Sequence, residues 1–288
     1  MWSQKKSGGH ELEVGERLGP YQVEGMLGEG GMGIVFRAVQ EPGGDVVALK
    51  VLRRELSADT TYQKRFIHEA RAAREVTHRH LVPIIDAGEI EGRSFLVSAY
   101  IPGRSLDDRL KESGPLSLKD TLRLASHVAG ALDALHGASL IHRDVKPGNI
   151  LFDNDGNAML SDFGLAKGSA YTVLTKPGQV VGTLDYLAPE LIKGSAASPS
   201  SDLYALGCVV FECLAGTPPF GHKGVFEVGV AHLEEEPPDP TAARDDVPDG
   251  LAWAVLQALA KEPGERPSTA TAYANVLNVA ARSTSSPG

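Results

Sequence analysis

Cysteine is nearly absent from this 288-residue chain, which contains only Cys208 and Cys213. Five positions apart in one apolar segment, they point in different directions from a helix. That makes them poor disulfide partners, and their spacing fits no zinc site. They read as small buried hydrophobes in a protein of a reducing compartment, and the expected location is cytoplasmic. Basic charge is also short: 28 Lys+Arg against 37 Asp+Glu give a net charge of -9. An acidic chain lacks the sequence-independent attraction that nucleic acids require, so no nucleic-acid partner is expected. Long apolar runs are missing too. The longest, from Leu203 to Gly216, is interrupted by Glu212 and is too short to span a bilayer. The first ten residues are too polar for a secretory leader, and the nine histidines show no metal spacing. No repeat of solenoid length is visible.

What is present is enough for sizeable cores. With 42% hydrophobic and 23% charged residues, a disordered polar chain is excluded. At roughly 100–200 residues per domain, the length suits two modest domains or one bilobal one. Short β-prone runs over Tyr21–Leu27, Ile34–Val39 and Asp45–Leu52 are broken by glycines and by Pro42-Gly43-Gly44. A helix is predicted near Thr60–Val76, then strands near Leu81–Gly88 and Arg93–Tyr100. After Ile101-Pro102-Gly103 the pattern turns helical. Leu118–Gly137 carries an apolar stripe, Leu203–Leu214 is apolar almost all round, and Leu251–Leu259 and Thr269–Val279 complete the series. The expected division is a mobile tail over 1–16, a small strand-rich lobe over 17–100, a helical lobe over 101–280 and a mobile tail over 281–288. A hinge near 99–103 and a small-molecule site between the lobes follow from that reading.

Gly28, Gly30 and Gly33, in the run Gly28-Glu29-Gly30-Gly31-Met32-Gly33, would let backbone approach a pyrophosphate with no Cβ in the way. The same pattern marks dinucleotide-binding folds, where it should lead into a helix. Here it leads into Ile34-Val35-Phe36, another strand, and an ordinary hairpin turn is the simpler alternative. Seventeen residues after Gly33, Lys50 ends the apolar strand Val47-Ala48-Leu49. Its candidate partner is Glu69, on the face of the next helix that carries Phe66, Ala70 and Ala73. A carboxylate there is costly unless a cation meets it; two unrelated solvated side chains are the alternative. Further on stand His142-Arg143-Asp144-Val145-Lys146-Pro147-Gly148-Asn149, then Asp162-Phe163-Gly164, then Ala188-Pro189-Glu190. Asp144, Asn149 and Asp162 are the hard oxygen ligands or bases that Mg²⁺ and a hydroxyl nucleophile need. Each alone could be a turn residue; their joint order and spacing is a strong signal.

These motifs resemble the signature set of the protein kinases over about Leu18 to Val279, nearly the whole chain. Lys146 is similar to the serine/threonine branch, and the short loops are similar to bacterial eukaryotic-like kinases. The resemblance implies an α+β fold: a β-rich N-lobe with one main helix and a larger helical C-lobe. It implies transfer of the ATP γ-phosphoryl group to Ser/Thr hydroxyls of proteins; a nucleotide-binding pseudokinase scaffold is the alternative. Lys50 would meet the α/β-phosphates and pair with Glu69, and the glycine loop would cover the phosphates. Asn149 and Asp162 would hold Mg²⁺, with Mn²⁺ able to substitute. Asp144 would accept or orient the hydroxyl proton beside Lys146. Adenine would sit against Leu27, Val35, Ala48 and Leu151 and bond to backbone near Ala99 and Ile101. Ser98 stands where such kinases often carry a bulkier residue, and Ala99 where Glu is frequent. Thr175, with Thr172 second, would be the site of activating autophosphorylation, with self-association for reaction in trans. Thr183 would hydrogen-bond near Asp144 and Lys146, or be an ordinary loop hydroxyl. Glu190 would pair with Arg266. Asp202 would brace the backbone at His142-Arg143, unless it is a plain charge at a helix start.

Overall fold

The computed structural model describes residues 12–162 and 184–282. The calls on Phe163, Gly164, Thr172, Thr175, Gly182 and Thr183 lie outside the described residues. The chain divides into two compact units, one of residues 1–71 with 84–100 and one of residues 72–83 with 101–288.

The first unit contains a six-stranded antiparallel sheet. Its strands are β1 (Arg17–Leu18), β2 (Tyr21–Gly30), β3 (Gly33–Gln40), β4 (Asp45–Leu52), β5 (Ile84–Ile90) and β6 (Arg93–Ala99), in the order β1-β2-β3-β4-β6-β5. Two helices, α1 (Arg54–Ala58) and α2 (Thr60–Arg74), connect β4 to β5. Alternation along the strands sets the two faces. Phe36 and Ala38 on β3, Val47, Leu49 and Val51 on β4, and Phe95 and Val97 on β6 share one core with Leu18, Tyr21 and Val23. The intervening Val35, Arg37, Ala48, Lys50 and Ser98 fall on the opposite face and stay half-buried.

Leu12 belongs to the same core at 6% exposure. The N–H of Gly15 donates to the Val23 carbonyl at 3.0 Å, and the Val23 N–H to the Glu16 carbonyl at 2.9 Å. Packed chain therefore includes Leu12, ahead of the residue 17 expected from composition.

The second unit holds α3 (Leu106–Ser113), α4 (Leu118–Gly137), the hairpin β7 (Ile150–Phe152) and β8 (Ala158–Leu160), then α5 (Pro189–Ile192), α6 (Pro199–Ala215), α7 (Val225–Glu234), α8 (Asp249–Ala258) and α9 (Ala270–Arg282). Serines 105, 117 and 198 cap α3, α4 and α6. α6 ends on Gly216 in the left-handed conformation, at φ 83°. Every residue of α6 from Ser201 to Leu214 is buried, as its all-round apolarity predicts.

Residues 72–83 differ from expectation. They join the second unit because Leu81 bridges Leu160, the Val82 N–H donates to the Leu160 carbonyl at 2.9 Å, and the Leu160 N–H donates to the His80 carbonyl at 2.8 Å. Both cysteines are buried and free. No helix among the described residues is long and apolar enough to cross a membrane.

Candidate functional site

In the first unit, pairing register lines up the predicted nucleotide residues. Gly28 faces Val35, Val35 faces Lys50, and Ala48 faces Ser98. Leu27 is the extra residue of an irregularity between Met26 and Gly28, and it is 46% exposed. The three glycines are not equivalent. A Cβ on Gly33 would lie 2.1 Å from the Val51 carbonyl oxygen, whereas a Cβ on Gly28 or Gly30 would meet nothing within 4 Å. Gly33 is thus required by the neighbouring strand. Gly28 and Gly30 are open toward whatever approaches the turn. Arg53 anchors that turn: its Nη2 donates to Glu29 Oε1 at 2.7 Å, and its N–H donates to the Met32 carbonyl at 2.9 Å. Glu69 lies on α2 beside the buried Phe66 and Ala70, itself half-buried, and Ala99 ends β6 opposite Val47.

In the second unit, the loop between α4 and β7 forms a dense polar cluster. Lys146 Nζ lies 2.9 Å from Asp144 Oδ2. Asn149 Nδ2 donates to the same oxygen at 2.9 Å and to the Asp144 carbonyl at 2.8 Å. With the amide nitrogen of Asn149 committed twice, its other polar atom, Oδ1, is a hard oxygen of the kind divalent cations take. The Ser161 N–H and Oγ both donate to the Asn149 carbonyl, at 2.8 and 3.0 Å. Because Ile150 pairs with Leu160, Asn149 and Asp162 flank the same end of the β7-β8 hairpin. Leu151 pairs with Met159 on it, and Ile101 is half-buried in the segment before α3.

Buried groups hold this loop from beneath. Asp202, 2% exposed in the first turn of α6, accepts the His142 N–H on Oδ2 and the Arg143 N–H on Oδ1, both at 2.8 Å. This is the bracing expected of Asp202. Arg143 and Asp162 adopt positive φ, 67° and 55°, a conformation non-glycine residues keep only where the surroundings hold it. His142 is fully buried, and its Nδ1 accepts the Asp144 N–H at 3.3 Å while Nε2 donates to the Ser161 carbonyl at 3.0 Å. Those two bonds fix the neutral tautomer with its proton on Nε2. Burial likewise pushes the His142 pKa down, against the pull of Asp202 and Asp144.

Glu190 and Arg266 pair as predicted, through two bonds of 2.7 and 2.8 Å. One pair escaped the sequence reading. Tyr186 donates to Glu212 Oε2 at 2.6 Å, and burial raises Glu212 to about 7 while that hydrogen bond opposes the rise. The signal was available: a lone carboxylate in an otherwise apolar helix needs a partner.

The first unit thus offers a strand turn open to backbone approach, and the second a loop holding carboxylate, ammonium and amide together. Residues 21–277 match the family model described as Protein kinase domain, and the chain belongs to that family. Serine/threonine-protein kinase PknH of Mycobacterium bovis is 38% identical over 264 residues, 92% of this chain and 44% of that protein. PknD of Mycobacterium tuberculosis is 40% identical over 255 residues, 88% of this chain and 38% of that protein. The chain therefore spans less than half the length of these curated relatives. The crystal structure of the Mycobacterium tuberculosis PknI kinase domain matches with a TM-score of 0.76 at 30% identity, covering 94% of this chain and 100% of that one. The α+β kinase fold is thus the fold of this chain.

Proposed function

We propose that this chain is an ATP-dependent serine/threonine protein kinase domain, moving the γ-phosphoryl group onto Ser or Thr hydroxyls of proteins. The observation that carries the reading is the cluster of Asp144, Lys146 and Asn149 on a loop braced by the buried Asp202. Phosphoryl transfer is mostly positioning and electrostatics, and a carboxylate held beside an ammonium suits both needs. Asp144 accepts or orients the acceptor's hydroxyl proton, and Lys146 supplies positive charge nearby. Lys50 meets the nucleotide phosphates and Glu69 fixes its position. Gly28 and Gly30 give the phosphates access to backbone, supported by the open space where a Cβ would stand. Leu27, Val35, Ala48 and Leu151 pack on adenine, with hydrogen bonds to backbone near Ala99 and Ile101.

The donor set fits a divalent cation, since the Asn149 Oδ1 and the Asp162 carboxylate are hard oxygens. When bound, Mg²⁺, or Mn²⁺ in its place, offsets the charge developing on the phosphoryl oxygens. Activation by autophosphorylation in trans at Thr175, or at Thr172, belongs to this reading. Two buried free thiols suit a reducing compartment, so the proposed location is the cytoplasm. The scaffold alternative lacks support, because Lys50, Glu69, Asp144, Asn149 and Asp162 are all present.

The test is transfer of labelled phosphate from Mg·ATP to the chain itself and to a generic protein acceptor, beside Asp144→Asn. The variant should keep nucleotide binding and lose turnover by about 10²–10⁴-fold. Near-normal turnover in Asp144→Asn would remove Asp144 from its role. Mapping the sites labelled in the wild type tests Thr175 and Thr172.

A further inference from the structure

Two histidines hold the backbone of Ala158, the first residue of β8. Its carbonyl accepts a bond from His80 Nδ1 at 3.0 Å, and its N–H donates to Nδ1 of His127, on α4, at 3.2 Å. The two imidazoles stack, with centroids 3.7 Å apart and planes 12° from parallel. A third ring, His78, has its centroid 5.6 Å from that of His80, and its Nδ1 accepts the His80 N–H at 3.3 Å. Gly130, one turn along α4 from His127, makes room for it, since a Cβ there would stand 3.1 Å from the His78 ring. The bonds to Ala158 fix opposite tautomers. A carbonyl only accepts, so His80 carries a proton on Nδ1; a backbone N–H only donates, so His127 Nδ1 is bare.

β7 and β8 pair over only three residues each, and a two-stranded hairpin is marginal by itself. Beyond β7, the backbone of β8 is held by His80 and Val82 at Leu160 and by the two rings at Ala158. Ala158 is 1% exposed, so its N–H has no water to replace a lost partner. Two residues past β8 stands Asp162, at positive φ. We propose that His127 is a positioning residue for phosphoryl transfer: bare at Nδ1 it clamps β8 and so sets Asp162, and protonation of that nitrogen releases the clamp. A proton there would meet the Ala158 N–H donor to donor, whereas His80 keeps its bond in either charge state. The groups acting on His127 are His80 and Arg79 from the segment before β5, Arg123 from its own helix and Asp153 from the turn after β7, with His78 behind His80. Burial, then the charges of His80, Arg123 and Arg79, push His127 down to about 4, and Asp153 alone opposes them. The ring is therefore bare at neutral pH. It touches neither substrate nor reacting atoms. The role of Asp162 rests on the kinase reading above; the clamp does not.

Two variants of the full chain separate the bond from the stack. His127→Phe keeps a ring against His80 but has no acceptor. His127→Asn loses the ring, keeps an acceptor where Nδ1 stands and does not titrate. Hydrogen exchange is followed at the Ala158 amide from about pH 7.5 to about pH 5, and turnover on casein at saturating ATP is measured against Mg²⁺ concentration at the upper pH. With a value near 6.5 when the clamp is open and about 4 when it is closed, the open population in the wild type should rise about 30-fold over that range. In His127→Asn it should change by less than about threefold. His127→Phe should need about 10- to 100-fold more Mg²⁺ for half-maximal turnover, as the loss of a support behind a metal ligand does, and His127→Asn should stay within about threefold of wild type. Wild-type exchange as flat as that of His127→Asn, an unchanged Mg²⁺ requirement in His127→Phe, or equal impairment of both variants overturns the proposal. If His127→Phe does not fold, the exchange comparison of wild type with His127→Asn decides. If the wild type transfers no phosphate, the kinase reading fails, and the same comparison still decides on the clamp.

Discussion

The Glu190–Arg266 pair offers the sharpest energetic test. Arg266 has no exposed side-chain surface and Glu190 only 12%. Besides its two bonds to Glu190, the guanidinium donates to the carbonyls of Ala260 at 2.8 Å, Ser200 at 3.0 Å and Lys261 at 3.0 Å, and it lies 4.8 Å from the Tyr204 ring centroid. Glu190→Ala strands a buried cation, which costs about 3–5 kcal/mol. The three surviving carbonyl bonds hold the loss near the lower bound, about 3 kcal/mol. Arg266→Met removes the donors of three half-buried carbonyls at about 1 kcal/mol each and leaves Glu190 uncompensated, for about 4–5 kcal/mol in all. The double variant retains neither charge, so its cost should be about 4 kcal/mol rather than the sum of the two. The implied coupling is about 3–4 kcal/mol. Urea unfolding followed by far-UV circular dichroism, which reads the helices of the second unit, measures all three. A loss below about 1 kcal/mol in Glu190→Ala, or additivity within about 0.5 kcal/mol, would refute the reasoning.

Other outcomes follow from single contacts. Gly33→Ala should destabilise the chain by about 1–3 kcal/mol, because its Cβ meets backbone at Val51. Gly30→Ala should leave the unfolding midpoint in place and raise KM for ATP; the reverse pattern would undo the distinction drawn between these glycines. Burial, with His80, Arg123 and Arg79 nearby, lowers His127 to about 4. Its neutral ring therefore contributes fully above the unfolded value near 6.5, and that contribution disappears as pH falls towards 4. Urea midpoints should drop more steeply over that window in wild type than in His127→Gln, and parallel curves would contradict the assignment. Ser98→Met should weaken inhibitors that extend past the Ala48 side of the adenine site while sparing ATP; equal inhibitor affinities would count against that placement.

Much of the fold was legible because period alone decides it. The apolar stripe delimits α4 at Leu118–Gly137, and apolarity almost all round marks α6. What escaped was tertiary. Leu81 looks like the start of a strand running to Gly88, yet it bridges Leu160 instead, and β5 begins at Ile84. Leu12 sits in polar sequence, and nothing local reveals that its side chain completes the sheet core. The site shows the same division. Motif spacing identifies Asp144, Lys146 and Asn149 as residue types, but their mutual bonds depend on a short 3₁₀ turn at Pro147–Asn149. Gly33 reads as a phosphate glycine, whereas the structure also requires it for strand packing.

The carboxylate of Asp202 grows from the helix that is buried all round from Ser201 to Leu214. Catalytic readiness and bulk solidity therefore share one beam. Warming should not wear the proposed activity down by degrees through local fraying; it should persist until the interior of the second unit gives way and then fail all at once.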